Sequence, residues 1–232
     1  MGVDTGAAAR RVEEIPGVYK YCDDWCEICR LTARCTSHRI RQAWEARRRK
    51  DPAMDADDLV AFTREVAAAA GETTPGLDAL LAGDPNGEYQ PVPADEGLCL
   101  LASQYAVGAG FLLTKAGWRP PASGTFGRSP GPQDVLAWYH QFLAMRASRA
   151  LVATARADRG IPGERVDAEG SAKIALIAID RSRAALARLA GGKHDRICRH
   201  LARMLDTLAT GLEARIPGAR AFVRIGLDAP VV

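Results

Sequence analysis

The chain is poor in aromatic residues and has no large excess of either charge. Aromatic side chains make up 6% of its 232 residues, and the formal net charge is +3. Few aromatics, together with abundant alanine and arginine, favour helices over strands. A net charge this small neither requires nor excludes nucleic acid as a partner. Because 47% of the residues are hydrophobic, the composition predicts a globular protein rich in helix.

Several motifs of known chemistry are missing from the sequence. No Glu-x-x-His pair is present, which counts against a ferritin-like di-iron protein. A glycine-rich dinucleotide fingerprint and an internal repeat are absent as well. The first residues lack a charged start followed by an apolar run, so we expect no secretory signal and a cytoplasmic location.

Long uncharged stretches are also scarce, and the main one runs from Gly97 to Thr114. Its eighteen residues approach the length that spans a membrane. Ser103 and Gln104 interrupt the run with polar side chains. We interpret it as a buried central helix and expect no membrane partner.

What the chain does have is a dense group of cysteines near its N-terminus. Four of its six cysteines, Cys22, Cys26, Cys29 and Cys35, lie within fourteen residues and are separated by three, two and five residues. Thiolates spaced so closely can converge on one metal centre. A [4Fe–4S] cluster suits these short intervals best, and a zinc ion is the alternative, although zinc sites usually pair two knuckles across a longer gap. The non-metal interpretation is a disulfide or reduced thiols.

Two parts of this spacing resemble the cluster loops of known families. Cys26-Glu-Ile-Cys29 followed by Cys35 resembles the last three ligands in DNA glycosylases of the endonuclease III type, whose first ligand lies further upstream than Cys22. The spacing of Cys22, Cys26 and Cys29 matches the motif of radical S-adenosylmethionine enzymes. That second resemblance implies an iron left open for the cofactor and a partial β/α barrel. This chain differs on both points. Cys35 can supply a fourth thiolate to the open iron, and the rest of the sequence predicts helices and not a β/α barrel.

Residues near the cysteines allow two interpretations each. Tyr21 and Trp25 can cover a cluster and keep water from it, or they can pack in an ordinary core. A helix predicted from Thr36 ends in the basic run Arg47, Arg48, Arg49 and Lys50. That run is either a solvated helix end that complements the helix dipole or a contact for nucleic acid. A protein partner or a homo-oligomer is equally open.

We predict an all-α fold, a helical bundle of four longer helices over 97–116, 132–158, 168–190 and 193–215. The expected domains are a disordered N-terminus at 1–14, a cysteine-rich metal-binding arm with the basic helix at 15–52, and the helical bundle domain at 53–232. Short connections between the last three long helices imply antiparallel neighbours.

The leading hypothesis is a metal-binding protein in which the four cysteines have a structural, redox or partner-binding role. The alternative is an enzyme with a polar pocket in the bundle, formed by His140, Lys173 and Asp180. This alternative is based on the positions of these titratable groups, which lie on helix faces that the sequence otherwise predicts to be buried. The glycine- and proline-rich loop at 117–132 would then act as a lid.

Overall fold

A computed structural model describes residues 13–69, 95–121 and 129–229 of the chain. The α-helices in these ranges are α1 (Thr36–Lys50), α2 (Ala56–Ala69), α3 (Glu96–Lys115), α4 (Pro132–Ala157), α5 (Glu164–Leu189) and α6 (Asp195–Arg215). The same ranges hold no β-strand, only an isolated bridge between Ile225 and Ala229. The prediction of an all-α fold is confirmed.

Some predicted features lie wholly or partly outside the described residues. They are the disordered N-terminus at 1–14 and the middle of the loop at 117–132.

The described residues belong to two compact units. The hairpin unit consists of residues 13–19 and 29–69, and the helical unit consists of residues 20–28, 95–121 and 129–229. The predicted domain boundary between residues 52 and 53 stays a prediction.

The hairpin unit is built on the contact between α1 and α2. Asp55 precedes α2, and its Oδ1 accepts hydrogen bonds from the backbone N–H groups of Asp57 and Asp58, at 2.9 and 3.2 Å. Asp55 is therefore the N-terminal cap of α2. Between the helices, the ring of Trp44 lies 5.6 Å from the buried ring of Phe62.

The helical unit places four long helices in mutual contact. α4 packs against α3 and α5, and α6 packs against the same two helices. Their buried apolar residues recur every three or four positions, so each helix turns one face inward. On α4 this face includes Leu136, Tyr139, Leu143 and Ala147, all fully buried.

The start of α5 corrects the sequence prediction. We expected Asp167 to precede a helix at Ala168, whereas the helix begins at Glu164. Gly163 has a φ of 83°, in the left-handed region that glycine adopts readily, and so permits the earlier turn. Asp167 instead lies within the first turn, where it pairs with Arg149 at 3.0 Å. An acidic residue is favourable both as a cap and in the first turn, so the sequence left the boundary ambiguous.

The chain after α6 is tied to the helical unit through Arg220. Its guanidinium forms ion pairs with Asp180 at 2.6 Å and with Glu213 at 2.7 Å. The Nζ atom of Lys173 donates to the backbone carbonyl of Arg220 at 2.7 Å. The last described turns are therefore held against α5 and α6 by polar contacts.

Helix α3 is less buried than the sequence predicted. Its buried residues are Ala102, Tyr105, Ala109, Leu112 and Leu113, all on the side that faces α4 and α6. Leu100, Val107 and Phe111 are exposed. Within the described ranges, α3 is the one helix whose length and composition would allow it to cross a membrane. The uncharged sequence predicted a helix correctly but did not show that its two faces differ in burial.

Candidate functional site

In the hairpin unit, the chain before the cysteines is bound to the chain after them. The backbone N–H of Ile15 donates to the carbonyl of Arg34 at 3.0 Å, and Arg34 Nε donates to the carbonyl of Glu13 at 2.8 Å. Thr36 Oγ1 donates to Glu14 Oε2 at 2.6 Å. These bonds hold residues 13–15 beside the beginning of α1.

In the helical unit, Trp25 anchors the segment 20–28. Its side chain is 1% exposed and lies in the core formed by the long helices. Its ring stacks on Trp138 with a centroid distance of 5.1 Å and meets the edge of Tyr139 at 5.8 Å. Both of these partners are on α4. Of the two interpretations of Trp25, the structure shows the one with core packing.

Asp23 makes the polar half of the same anchor. Its Oδ2 accepts a hydrogen bond from the hydroxyl of Tyr139 at 2.7 Å and forms an ion pair with Arg181. Its backbone carbonyl accepts from Trp138 Nε1 at 3.0 Å. Arg181 also donates to the Tyr139 hydroxyl. One acidic residue of the segment thus joins α4 to α5.

Tyr21 contacts α5 at a glycine. A Cβ atom built on Gly170 would lie 2.4 Å from the Tyr21 ring, so the ring occupies space that only glycine leaves open. The Tyr21 ring also meets Phe222 edge-on, with a centroid distance of 4.9 Å. The segment 20–28 is therefore held at three successive odd-numbered residues, Tyr21, Asp23 and Trp25.

Two of the clustered cysteines adjoin short 3₁₀ turns. Cys26 begins the 3₁₀ turn Cys26–Ile28, and Cys35 follows a second one, Thr32–Arg34. The Sγ atom of Cys29 accepts a hydrogen bond from the backbone N–H of Leu31 at 3.4 Å.

Cys22, Cys26, Cys29 and Cys35 are partly buried, and none of the six cysteines in the chain forms a disulfide. Within the described ranges, no three His, Cys, Asp or Glu side chains form a group positioned to hold a metal ion. Cys22 and Cys26 belong to the helical unit, and Cys29 and Cys35 belong to the hairpin unit. Metal sites of this kind commonly fold around their metal.

Comparison with protein-family models, curated proteins and solved structures finds no match.

The residues of the predicted enzyme pocket have different surroundings. His140 is half-buried on α4, and its ring lies 3.8 Å from the position that a Cβ atom of Gly110 on α3 would occupy. Its Nδ1 lies 2.7 Å from the carbonyl oxygen of Ala137, and burial lowers the pKa of the imidazole. His140 thus faces α3.

Lys173 and Asp180 both contact Arg220, the first at its backbone carbonyl and the second at its guanidinium. These contacts hold the chain after α6 and do not involve His140. The structure brings Lys173 and Asp180 together through Arg220. The pocket that would also include His140 stays a prediction, and none of the contacts described here joins His140 to the other two residues.

The basic end of α1 is partly engaged within its own unit. Arg47 pairs with Glu65 at 2.9 Å, and its guanidinium lies 5.2 Å from the centre of the Phe62 ring. Arg48, Arg49 and Lys50 are exposed. Contact with nucleic acid at this helix end stays a prediction.

A cleft of about 250 Å³ borders the anchor. Its apolar walls include Trp25, Ile28 and Val135, and its charged groups are Arg181 and Arg188. An apolar group that carries a negative charge would suit this lining. The cleft brings Ile28, which lies between two of the cysteines, next to α5.

Sequence reasoning missed Tyr139 and Arg181, the residues that receive Asp23. Tyr139 lies among apolar residues that recur at helical spacing, and Arg181 has no distinguishing signal in the sequence. Asp23 lies next to Cys22, but its partners are more than a hundred residues away in the sequence. No local pattern marks such a contact.

Two buried tyrosines predict that the protein loses stability in alkali. Burial raises the pKa of Tyr105, and burial together with the charge of Asp23 raises that of Tyr139. The unfolded chain releases these protons near pH 10, whereas the folded chain keeps them to higher pH. The stability they contribute is thus complete below about pH 10 and falls above it, by at most about 1.4 kcal/mol per pH unit for each tyrosine.

Urea unfolding at pH 8 and at about pH 11 measures this loss. The Tyr139→Phe variant should lose less stability over that interval than the wild type, and the control Tyr19→Phe, an exposed position, should behave like the wild type. An equal loss in Tyr139→Phe and the wild type would show that this tyrosine stays protonated in both states or in neither.

Proposed function

We propose that the chain is a metal-binding protein in which Cys22, Cys26, Cys29 and Cys35 together hold one [4Fe–4S] cluster, with a zinc ion as the alternative. The observation that carries the proposal is the spacing of four thiols within fourteen residues. The other two cysteines, Cys99 and Cys198, lie on α3 and α6.

The chemistry of the ligands supports one centre with four thiolates. All four cysteines are partly buried, so thiolates there keep some contact with water while a centre is shielded from it. The N–H of Leu31 already points at Cys29 Sγ, and such bonds to sulfur adjust the potential of a cluster. A bound cluster would supply one-electron transfer, and zinc would supply a rigid tetrahedral joint.

The position of the anchor supports a role that couples metal binding to the fold. Asp23 and Trp25 lie between Cys22 and Cys26, so the chain that would wrap the metal is the chain that packs on α4. Because the free energy of metal binding contributes to folding in such loops, the metal and the anchor would stabilise each other. In this proposal the four long helices act as a bundle that positions the cysteine segment.

The test is to purify the full chain without oxygen, record its visible spectrum and measure iron, zinc and acid-labile sulfide per chain. The proposal expects a brown protein with nearly equal iron and sulfide, and the zinc alternative expects a colourless protein with one zinc. A chain that holds neither metal after reconstitution with iron and sulfide, or with zinc, contradicts the proposal.

Two variants make the assignment specific. A variant with serine at Cys22, Cys26, Cys29 and Cys35 should lose all bound metal, since a hydroxyl binds these metals far more weakly than a thiolate. The control carries Cys99→Ser and Cys198→Ala and should keep it. Circular dichroism of both checks that the long helices remain. Equal metal content in both variants would place the metal elsewhere.

A further inference from the structure

The exposed face of α3 carries apolar side chains that the described part of the chain leaves open to water. Val107 is 75% exposed, Leu100 is 59% exposed and Phe111 is 53% exposed. With the exposed Gln104 they are spaced by four, three and four residues, which places them on one face of the helix. This face lies opposite the buried residues Tyr105 and Ala109. A soluble protein gains free energy by covering such a stripe.

The order of residues along this face is symmetric about its middle. Leu100 and Phe111 lie equally far from the point between Tyr105 and Ala106, and so do Gln104 and Val107. Two copies of the helix, related by a two-fold axis through that point, would place Leu100 of each copy against Phe111 of the other. A two-fold interface needs this kind of self-complementary surface.

The charges at the two ends select the direction of pairing. Glu96 is in the first turn of α3 and Lys115 is in the last, and both are exposed and equally far from the middle of the helix. Among the residues that the structure describes, neither forms an ion pair with another side chain, although Lys115 Nζ lies 5.4 Å from the centre of the Phe111 ring. Antiparallel pairing sets Glu96 of each copy against Lys115 of the other, whereas parallel pairing would oppose like charges.

From these observations we propose that α3 is the interface of a two-fold symmetric homodimer, in which the helices of two copies pair antiparallel through Leu100, Val107 and Phe111. A single helix face covers less surface than the roughly 800 Å² per partner of a typical stable interface. The dimer therefore forms at micromolar concentrations and dissociates on dilution. The proposal concerns residues far along the chain from Cys22, Cys26, Cys29 and Cys35 and does not depend on the metal.

Sedimentation of the full chain from about 1 to about 200 µM tests the proposal. The wild type should change from monomer to dimer over this range. Val107→Glu should remain a monomer, because it places two like charges close to the symmetry axis. Val166→Glu is the matched control, since Val166 is 54% exposed on α5, and it should dimerise like the wild type.

Charge reversal tests the direction of pairing. Glu96→Lys and Lys115→Glu should each weaken the dimer about tenfold at low salt, because each turns two attractions into two repulsions. The double variant Glu96→Lys/Lys115→Glu should restore dimerisation to within about threefold of the wild type. If the two substitutions weakened the dimer by damaging the helix, their effects would add in the double variant. Restored dimerisation is therefore specific to antiparallel pairing.

Two results would overturn the proposal. One is a double variant that dimerises no more tightly than either single variant. The other is a wild type that stays monomeric at every concentration; if that monomer co-sediments with phosphatidylcholine–phosphatidylglycerol vesicles and Val107→Glu does not, the face binds a lipid surface instead.

Discussion

Replacing Trp25 with alanine is expected to lower the free energy of unfolding of the helical unit by about 3 to 5 kcal/mol. The indole is 1% exposed and stacks on Trp138 of α4 at 5.1 Å. Its removal would leave a cavity among side chains of the long helices and would also abolish the stacking contact. Few single substitutions in this chain should cost more.

Urea unfolding followed by circular dichroism measures this effect, with the metal content of all samples held the same. Trp25→Phe keeps an aromatic ring in the site and should lose less than half as much stability. Ile28→Ala is the control, because Ile28 is three residues away and 38% exposed, and it should cost under about 1 kcal/mol. If Trp25→Ala were no more costly than Ile28→Ala, Trp25 would not anchor the segment.

Replacing Asp23 with alanine is expected to cost about 2 to 3 kcal/mol. The change removes the acceptor of the Tyr139 hydroxyl, which is fully buried, and the partner of Arg181. A polar group that loses its hydrogen-bond partner in a buried site retains its desolvation cost. Asp23→Asn keeps an acceptor oxygen and should cost less.

A double-mutant cycle with Tyr139→Phe separates this contact from general damage. Two residues joined by a hydrogen bond should show a coupling energy of about 1 kcal/mol or more, so additive effects would argue against the contact. The titration of Tyr139 gives a second measurement. The charge of Asp23 helps to raise the pKa of Tyr139, so the absorbance of its phenolate should appear at lower pH in Asp23→Ala than in the wild type.

The positions of the long helices could be predicted from the sequence because they depend on local patterns. Apolar residues recur along α4 at helical spacing, and Pro132 at its start and Gly191 after α5 mark boundaries. The predicted start of α5 was wrong because an acidic residue such as Asp167 is favourable both before a helix and in its first turn.

The candidate site was predictable only where its residues are neighbours in the sequence. The four cysteines were found by their spacing, which needs no knowledge of the fold. Asp23 was not, because Tyr139 and Arg181 come to it only when α4 and α5 pack together. His140 was grouped with Lys173 and Asp180 from burial expected on each helix separately, and the structure gives these residues different partners.

The sequence by itself determined that the chain is helical, where most of its described helices lie, and that four thiols are close together along the backbone. These properties follow from backbone preferences and from spacing over a few residues. Only the tertiary structure decided that Trp25 fills the core, that Asp23 joins two helices, and that one face of α3 stays exposed. The physical reason is that burial and ion pairing depend on which helix faces meet, and residues far apart in the sequence decide that together.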